Sequence, residues 1–182
     1  IDEMQDYSYL QYVILEKMFD CPMTILGDRK QTMGEKQQNV MKFLPEIFGK
    51  EIFYIDMKKS YRSTCEIMEY ANQITQENSD TEYVNRHGEY PGEENVKTED
   101  ELFECLVKEL KEKNEYQTQG ILCLTQEETE RIYEGLISRG IEAEYLTKDS
   151  MKFHTGISVC PFYLAKGLEF DAVYIPHLEQ YQ

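Results

Sequence analysis

Short apolar runs alternate with longer amphipathic stretches along the 182 residues of this chain. Five apolar runs bounded by polar residues or glycine are predicted to be buried strands: Met23–Leu26, Ile52–Ile55, Ile121–Leu124, Gly156–Cys160 and Ala172–Ile175. Apolar residues spaced three and four apart predict five helices: Tyr9–Met18, Val40–Phe48, Thr64–Ile74, Glu101–Leu110 and Glu127–Ser138. Strands that alternate with helices indicate an α/β fold, with one parallel sheet from Ile52 onward and helices on both of its faces.

The composition is that of an ordinary folded protein, and it limits the partners that we expect. Apolar residues make up 41% of the sequence and charged residues 30%, which is too apolar for a disordered chain. No apolar run approaches the roughly 20 residues that a membrane-spanning helix requires, so no membrane partner is expected. The formal net charge is −16, and a field of this sign repels phosphate backbones. Strong nucleic-acid binding by this chain alone is therefore disfavoured.

The five cysteines are scattered along the sequence and include no CxxC pair. This spacing argues against a disulfide framework and against a structural zinc site. A reducing compartment is the natural setting for such thiols, and a cytoplasmic location is expected. Because the sequence opens at Ile1, directly inside the first motif described below, we expect it to be an excised part of a longer protein.

Two acidic residues, Asp2 and Glu3, stand side by side where a strand is expected to end. An acid at the tip of a parallel strand lies in the crevice where ligands bind. There Asp2 could hold a hydrated Mg²⁺ through one carboxylate oxygen. Glu3 could orient and deprotonate an attacking water molecule. Paired surface acids are common, so this pair gains weight only from the motifs that accompany it.

The segment Gly27–Gln31, with the sequence GDRKQ, follows the apolar run MTIL. Gly27 permits a sharp turn, and the side-chain amide of Gln31 could reach a phosphate oxygen. Taken alone, the segment is better explained as an ordinary surface loop. Its position after a predicted strand is what makes it a candidate ligand-binding loop.

The sequence SYRST, Ser60 to Thr64, follows the run IFYI and opens a predicted helix. Thr64 is a typical N-cap for that helix. Arg62 carries the planar fork that suits a phosphate, and Tyr61 offers a flat face on which a base could stack. A capped helix with a surface arginine is the simpler alternative for this motif.

The sequence AKGLEFD, Ala165 to Asp171, lies between two predicted strands. Gly167 allows a ligand to approach the backbone closely. Glu169 could accept hydrogen bonds from a ribose hydroxyl. A strand–loop–strand connection with glycine in its turn explains the same residues without any ligand.

In this order, DEMQD, GDRKQ, SYRST and AKGLEFDAVYIP resemble the motif set of superfamily 1 helicases of the UvrD/Rep type. The short spacing and the form YLAKGLEFDAV are most similar to the HelD-type branch. The resemblance implies two RecA-like domains of the P-loop NTPase type, with ATP in their cleft and DNA across their top. It further implies that residues 1–35 are a remnant of the first domain. Residues 36–182 would be the second domain without the large 2B insertion, ending before the last motif.

The resemblance assigns roles to three residues of the expected first-domain remnant. Asp2 matches the acid that binds Mg²⁺, and Glu3 matches the catalytic base. Gln31 matches the glutamine that senses the γ-phosphate of ATP. These roles agree with phosphoryl transfer, which depends on a bound cation and on charged groups held in position.

Four residues of the expected second domain also match family positions. Tyr61 matches an aromatic residue packed near the adenine, and Arg62 matches an arginine finger. Gly167 and Glu169 match the loop that contacts the ribose and couples ATP to the nucleic-acid strand. The resemblance implies that this arginine finger belongs to the second domain and reaches the phosphate when that mobile domain approaches the first.

The chain departs from the family pattern at several places. The phosphate-binding loop G-x-x-x-x-G-K-[ST] does not occur in it, and neither does the final arginine motif. The base-stacking aromatics that follow the glutamine in UvrD and Rep are replaced by Thr32–Glu35, and the chain contains no tryptophan. Pro161–Tyr163 stands where Thr-x-His is common, as is often found in the HelD-type branch. The chain by itself is therefore expected to be inactive.

Three functional hypotheses remain open at this stage. The first is an ATP-dependent helicase or translocase that moves along DNA. The second is an ATP-driven remodeller of a protein partner such as RNA polymerase, which the acidity and the missing aromatics favour. The third is a degenerate interaction module that does not hydrolyse ATP. The isolated chain is expected to be monomeric.

Overall fold

The computed structural model describes residues 1–28, 31, 40–49, 51–75, 82–148, 150 and 155–178. The chain divides into two compact units, Ile1–Pro91 and Gly92–Gln182. The boundary predicted between residues 35 and 36 falls in the segment 32–39, outside the described residues. None of the helices in the described ranges is long and apolar enough to cross a membrane.

Two helices, α1 (Tyr9–Met18) and α2 (Val40–Phe48), form the apolar core of the first unit. A capping box starts α1: the Ser8 hydroxyl accepts the Gln11 N–H, and the Gln11 side chain accepts the Ser8 N–H. Tyr12 of α1 is fully buried between the helices, and burial raises its pKa to about 12. Its hydroxyl donates to the Met4 carbonyl at 2.8 Å, so the core also holds the turn that follows the acidic pair.

The predicted strand Met23–Leu26 is not a regular strand, although its backbone pairs with the start of the chain. The Ile1 ammonium donates to the Thr24 carbonyl, and the Leu26 N–H donates to the Ile1 carbonyl, each at 2.8 Å. These two bonds flank Ile25, as in a parallel ladder. The pairing places the acidic pair and the segment beginning at Gly27 beside each other.

The predicted strand Ile52–Ile55 and the prediction of one sheet from Ile52 onward are wrong. Phe53 and Ile55 are 86% and 75% exposed, and no strand covers this run. An apolar run becomes a strand only where a partner backbone satisfies its N–H and C=O groups. Instead, β1 (Lys59–Ser60) pairs in parallel with β2 (Glu82–Tyr83), and the two form a sheet of their own. Helix α3 (Cys65–Thr75) follows β1.

The second unit contains a four-stranded parallel sheet with the order β4-β5-β3-β6. Its strands are β3 (Thr118–Cys123), β4 (Glu144–Tyr145), β5 (Gly156–Pro161) and β6 (Ala172–Tyr174). Its helices are α4 (Glu99–Glu112), α5 (Gln126–Ser138) and α6 (Phe162–Ala165). All of the strand pairs are parallel, which agrees with the alternation of strands and helices in the sequence.

Side chains alternate between the two faces of this sheet. Ile121, Cys123 and Val159 belong to the core cluster that includes apolar residues of α4 and α5. Leu122 and Cys160 point to the opposite face, which α6 and the loop after it cover. The fold is therefore α/β, with parallel sheets flanked by helices, and it is compatible with a RecA-like core.

Gly135 lies in α5 against Phe103 of α4, with no space for a side chain. An added Cβ would lie 2.0 Å from Phe103 Cζ, and the Arg139 guanidinium lies 4.2 Å from the centroid of the same ring. Because the ring is confined, we expect Gly135→Ala to lower the free energy of unfolding by about 1–2 kcal/mol despite its better helix propensity. Urea denaturation measures this, with Gly92→Ala as the control, because an added Cβ there meets nothing within 4 Å. Unchanged or increased stability of Gly135→Ala would contradict the packing.

Candidate functional site

The acidic pair lies at a strained turn. Glu3 has φ 52° and ψ 52°, and it leads into the 3-10 helix Met4–Asp6. This left-handed conformation is uncommon for residues other than glycine and is found disproportionately at functional sites. The Glu3 N–H donates to Asp2 Oδ1 at 2.9 Å, so the two acidic residues are fixed relative to each other.

Gln5 connects the acidic pair to the segment that begins at Gly27. Its Nε2 donates to Glu3 Oε2 at 2.6 Å, and its Oε1 accepts the Asp28 N–H at 3.1 Å. Asp28 Oδ2 in turn accepts from Gln31 Nε2 at 3.1 Å. Three hydrogen bonds thus join Glu3 to Gln31, and we call this set of four residues the Glu3–Gln31 link.

Gly27 is required at this link because two backbone segments meet there. An added Cβ would lie 2.5 Å from Gln5 Oε1 and 2.6 Å from the Met4 nitrogen. No side chain fits at such distances without moving the turn that carries Glu3. Glycine therefore serves close approach within the protein at this position.

The donor groups at this turn fit a nucleotide-bound Mg²⁺ better than a dedicated metal cage. Asp2 is exposed, and Glu3 lies beside it. In the described part of the chain, no three His, Cys, Asp or Glu residues converge on a common point. Mg²⁺ at phosphate-transfer sites is commonly held by one or two carboxylates, with water and phosphate oxygens completing its shell. Asp2 is the residue that would hold it here.

The Arg62 motif lies in the same unit, between β1 and α3. Thr64 caps α3 as predicted, because its Oγ1 accepts the Ile67 N–H at 3.3 Å. Tyr61 is 69% exposed, so its ring face is accessible to a flat ligand. The Arg62 side chain is exposed, and the Arg62 carbonyl accepts from Arg86 Nη1 at 2.7 Å.

A network of hydrogen bonds centred on Glu66 lies next to this motif. Glu66 Oε1 is 2.8 Å from His87 Nδ1, and Glu66 Oε2 accepts the Gly88 N–H at 2.9 Å. The bond with His87, followed by bonds from backbone N–H groups, lowers the pKa of Glu66 to about 2. The carboxylate therefore stays charged in the folded protein under acidic conditions that protonate ordinary glutamates.

This lowered pKa predicts a specific acid sensitivity. The Glu66 contribution to stability is complete above its ordinary pKa of 4.5 and is lost as the pH falls from there through about 2. We therefore expect Glu66→Gln to reduce the fall in Tm across this window, relative to the wild-type chain. Glu69→Gln, on the same helix, is the matched control and should follow the wild-type curve. Identical profiles of Tm against pH for Glu66→Gln and wild type would contradict a stabilising role of the Glu66 network.

Gly167 and Glu169 lie in the second unit, in the loop between α6 and β6. Gly167 has φ +85°, and an added Cβ there would meet nothing within 4 Å. Glycine is therefore favoured by backbone conformation at this position, not by crowding. Glu169 is exposed on the same loop.

Two neighbours anchor this loop to the sheet. The Phe170 ring covers Gly120 of β3, where an added Cβ would lie 2.8 Å from the ring atoms. Asp171 Oδ2 accepts from the Thr118 N–H at 2.9 Å and from the Thr118 hydroxyl at 3.0 Å. The loop that carries Glu169 is thereby fixed to the start of β3.

An open groove of about 830 Å³ lies elsewhere in the first unit. Phe19, Pro22, Ile47 and Phe48 are among the residues that line it, and none of the candidate site residues does. The groove is therefore separate from the predicted chemistry.

The seven candidate residues occupy three places in the chain. Hydrogen bonds bring Asp2, Glu3 and Gln31 together; Tyr61 and Arg62 lie in the loop before α3; and Gly167 and Glu169 belong to the second unit. The sequence patterns do not single out Gln5, Asp28 or Arg86, although Gln5 lies within DEMQD and Asp28 within GDRKQ. No protein-family model matches this chain, and comparison with curated proteins gives no match either.

Proposed function

We propose that this chain is part of an ATP-dependent helicase or translocase of the UvrD/Rep type, within its HelD-like branch. The native protein that contains it couples ATP hydrolysis to movement along DNA. The phosphate-binding loop, which these 182 residues do not include, is supplied by other sequence of that protein.

The observation that carries this proposal is the Glu3–Gln31 link. DEMQD and GDRKQ are two separate motifs, and Gln5 joins them by bonding to Glu3 on one side and to Asp28 on the other. Phosphoryl transfer requires a base, a cation site and a γ-phosphate contact in fixed positions. A hydrogen-bonded connection from Glu3 through Gln5 and Asp28 to Gln31 supports the roles that the motifs imply.

Asp2 and the residues of the Glu3–Gln31 link have separate tasks in the proposed reaction. Asp2 would hold Mg²⁺, and the cation would supply charge neutralisation to the bound phosphates. Glu3, oriented by Gln5, accepts a proton from the attacking water at its carboxylate. Gln31, oriented by Asp28, donates its amide N–H to the γ-phosphate.

The remaining candidate residues bind the nucleotide or stabilise developing charge. Arg62 directs its guanidinium toward the transferring phosphate, and Tyr61 packs near the adenine. Glu169 accepts from the ribose hydroxyls, on a loop that Gly167 shapes and Asp171 anchors. This loop also links the nucleotide to the nucleic-acid strand in the proposal.

Remodelling of a protein partner such as RNA polymerase is the second candidate function. It is favoured by the net charge of −16 and by the absence of tryptophan, because single-stranded DNA is normally bound by cationic and aromatic side chains. The two functions share the same ATPase chemistry and differ in the molecule that stimulates it.

The test of the proposed function is the ATPase rate of the native protein, alone, with single-stranded DNA and with RNA polymerase. Stimulation by DNA supports the helicase or translocase. Stimulation by polymerase alone supports the remodeller. Absence of ATP hydrolysis under all three conditions would contradict both and leave the degenerate interaction module.

A further inference from the structure

The loop that carries Arg62 is held from one side by the segment Val84–Gly88, which we call the clasp. The Val84 N–H donates to the Ser60 carbonyl at 3.2 Å, and the Cys65 N–H donates to the Arg86 carbonyl at 2.9 Å. These two bonds fix the ends of the SYRST loop. A third bond, from Arg86 Nη1 to the Arg62 carbonyl, holds its middle at 2.7 Å.

This third bond differs in kind from the other two. Its donor is a guanidinium, and hydrogen bonds from a charged donor are shorter and roughly twice as strong as those between neutral groups. Its acceptor is the carbonyl of Arg62 itself, so the bond fixes the Arg62–Ser63 peptide plane, which adjoins the Cα that carries the Arg62 side chain. By holding this part of the backbone, Arg86 restricts the directions in which the Arg62 guanidinium can point.

The clasp is itself fixed at its far end. Glu66 accepts from the Gly88 N–H and pairs with His87 Nδ1, while His87 Nε2 lies 2.6 Å from Asn85 Oδ1. An added Cβ at Gly88 would lie 2.9 Å from Thr64 Cγ2, so the clasp packs directly against the N-cap of α3. Arg86 therefore reaches Arg62 from a segment held on both sides.

We propose that Arg86 is a positioning residue that aims Arg62 for phosphoryl transfer. The inference rests on the proposed function, in which Arg62 is an arginine finger. Rigid placement is what such a finger requires, because a misplacement of about 1 Å can lower turnover roughly 10²-fold. A carbonyl needs only one cationic donor, so lysine should replace Arg86 in this task, whereas it cannot reproduce the planar fork of Arg62.

The first measurement is hydrogen exchange in the 182-residue chain, which requires no activity. We expect the backbone amides of residues 62–68 to exchange about tenfold or more faster in Arg86→Ala than in wild type. Arg86→Lys should keep them within about threefold of wild type. Arg139→Ala is the matched control, because Arg139 also donates to a backbone carbonyl, that of Gly135, but in the second unit. It should leave residues 62–68 unchanged.

The second measurement is steady-state ATP hydrolysis by the native protein. We expect Arg86→Ala to lower kcat about 10- to 100-fold, with KM within about threefold of wild type. The reason is that the position of the Arg62 guanidinium affects the transition state more than the bound substrate. Arg86→Lys should recover most of the turnover, and Arg62→Lys should recover little. This contrast separates a residue that holds a carbonyl from one that contacts phosphate.

Four outcomes would overturn the inference, each recognisable by its own signature. Unchanged exchange in Arg86→Ala shows that the clasp does not hold the loop. If Arg86→Ala exchanges faster but hydrolyses ATP at the normal rate, while Arg62→Ala hydrolyses ATP slowly, Arg86 does not position Arg62. If Arg86→Lys does not recover turnover and the Arg86 variants have a raised KM for ATP, Arg86 contacts the phosphate directly. Faster exchange with normal turnover in both Arg86→Ala and Arg62→Ala instead overturns the proposed function, and the positioning role with it.

Discussion

Replacement of Arg62 by alanine in the native protein should lower kcat for ATP hydrolysis by roughly 10³- to 10⁵-fold, or about 4–7 kcal/mol of transition-state stabilisation. The guanidinium is expected to meet charge that develops only during transfer, so kcat should fall more than KM rises. Arg62→Lys should recover little of this loss, since an ammonium lacks the planar two-pronged geometry. Steady-state kinetics of the wild type and the two variants measure all three expectations.

Stability serves as the control for this result. Arg62 is exposed, alanine retains the backbone carbonyl that accepts from Arg86, and replacement of an exposed side chain usually changes stability by no more than about 0.5 kcal/mol. The Tm of Arg62→Ala should therefore stay close to that of the wild type. A turnover within threefold of wild type would remove Arg62 from the catalytic group and weaken the helicase proposal with it.

Glu3→Gln should lower kcat by about 10²- to 10⁴-fold while leaving ATP binding nearly unchanged, because it removes a general base without removing volume. The glutamine carbonyl can still accept from Gln5, so the Glu3–Gln31 link should survive the change. We therefore expect the free energy of unfolding to stay within about 0.5 kcal/mol of the wild-type value.

Asp6→Asn is the matched control for this experiment. Asp6 is an exposed acid in the 3-10 helix that directly follows Glu3, and it has no assigned role in the reaction. Its replacement removes the same charge from the same turn, so its turnover should match that of the wild type. Equal losses of kcat in Glu3→Gln and Asp6→Asn would mean that the effect comes from the local negative charge and not from a general base at Glu3.

The helices were predictable because their signals are local. All five predicted helices are confirmed to within two residues at each end, and Ser8, Thr64, Thr98 and Thr125 cap four of them. Amphipathic spacing and a capping side chain act over a single turn, so the sequence alone carries them.

Strands depend on partner strands that are distant in the chain, and the wrong predictions from sequence concern strands. Ile121–Leu124 and Ile52–Ile55 are both short apolar runs, yet only the first overlaps a strand, which lies between β5 and β6. The second run has no ladder, and its large side chains are exposed. Local hydrophobicity could not distinguish the two.

The two motif glycines illustrate how a residue can be identified from sequence without its local structural setting. The sequence predicts a sharp turn at Gly27 and close approach of a ligand to the backbone at Gly167. The structure adds that Met4 and Gln5 crowd Gly27 and that Gly167 has a positive φ, with nothing within 4 Å of an added Cβ. Both settings favour the absence of a Cβ, and both depend on the tertiary fold.

The connections within the candidate site could not be read from the sequence either. Gln5 and Arg86 make hydrogen bonds to Asp28 and Arg62, each more than 20 positions away along the chain. Motif matching assigns roles to the residues that would touch ATP and is silent about those that orient them. The tertiary structure supplies this second group.

The central claim is that Glu3 and Gln31 act as one unit in ATP hydrolysis, and a double-mutant cycle tests it most directly. Single-turnover hydrolysis by the native protein would be measured for Glu3→Gln, Gln31→Ala and the double variant. Residues that act as a unit are strongly non-additive, so the double variant should be little slower than the slower single variant. Additive losses in the double variant, or wild-type rates in either single variant, would contradict the claim.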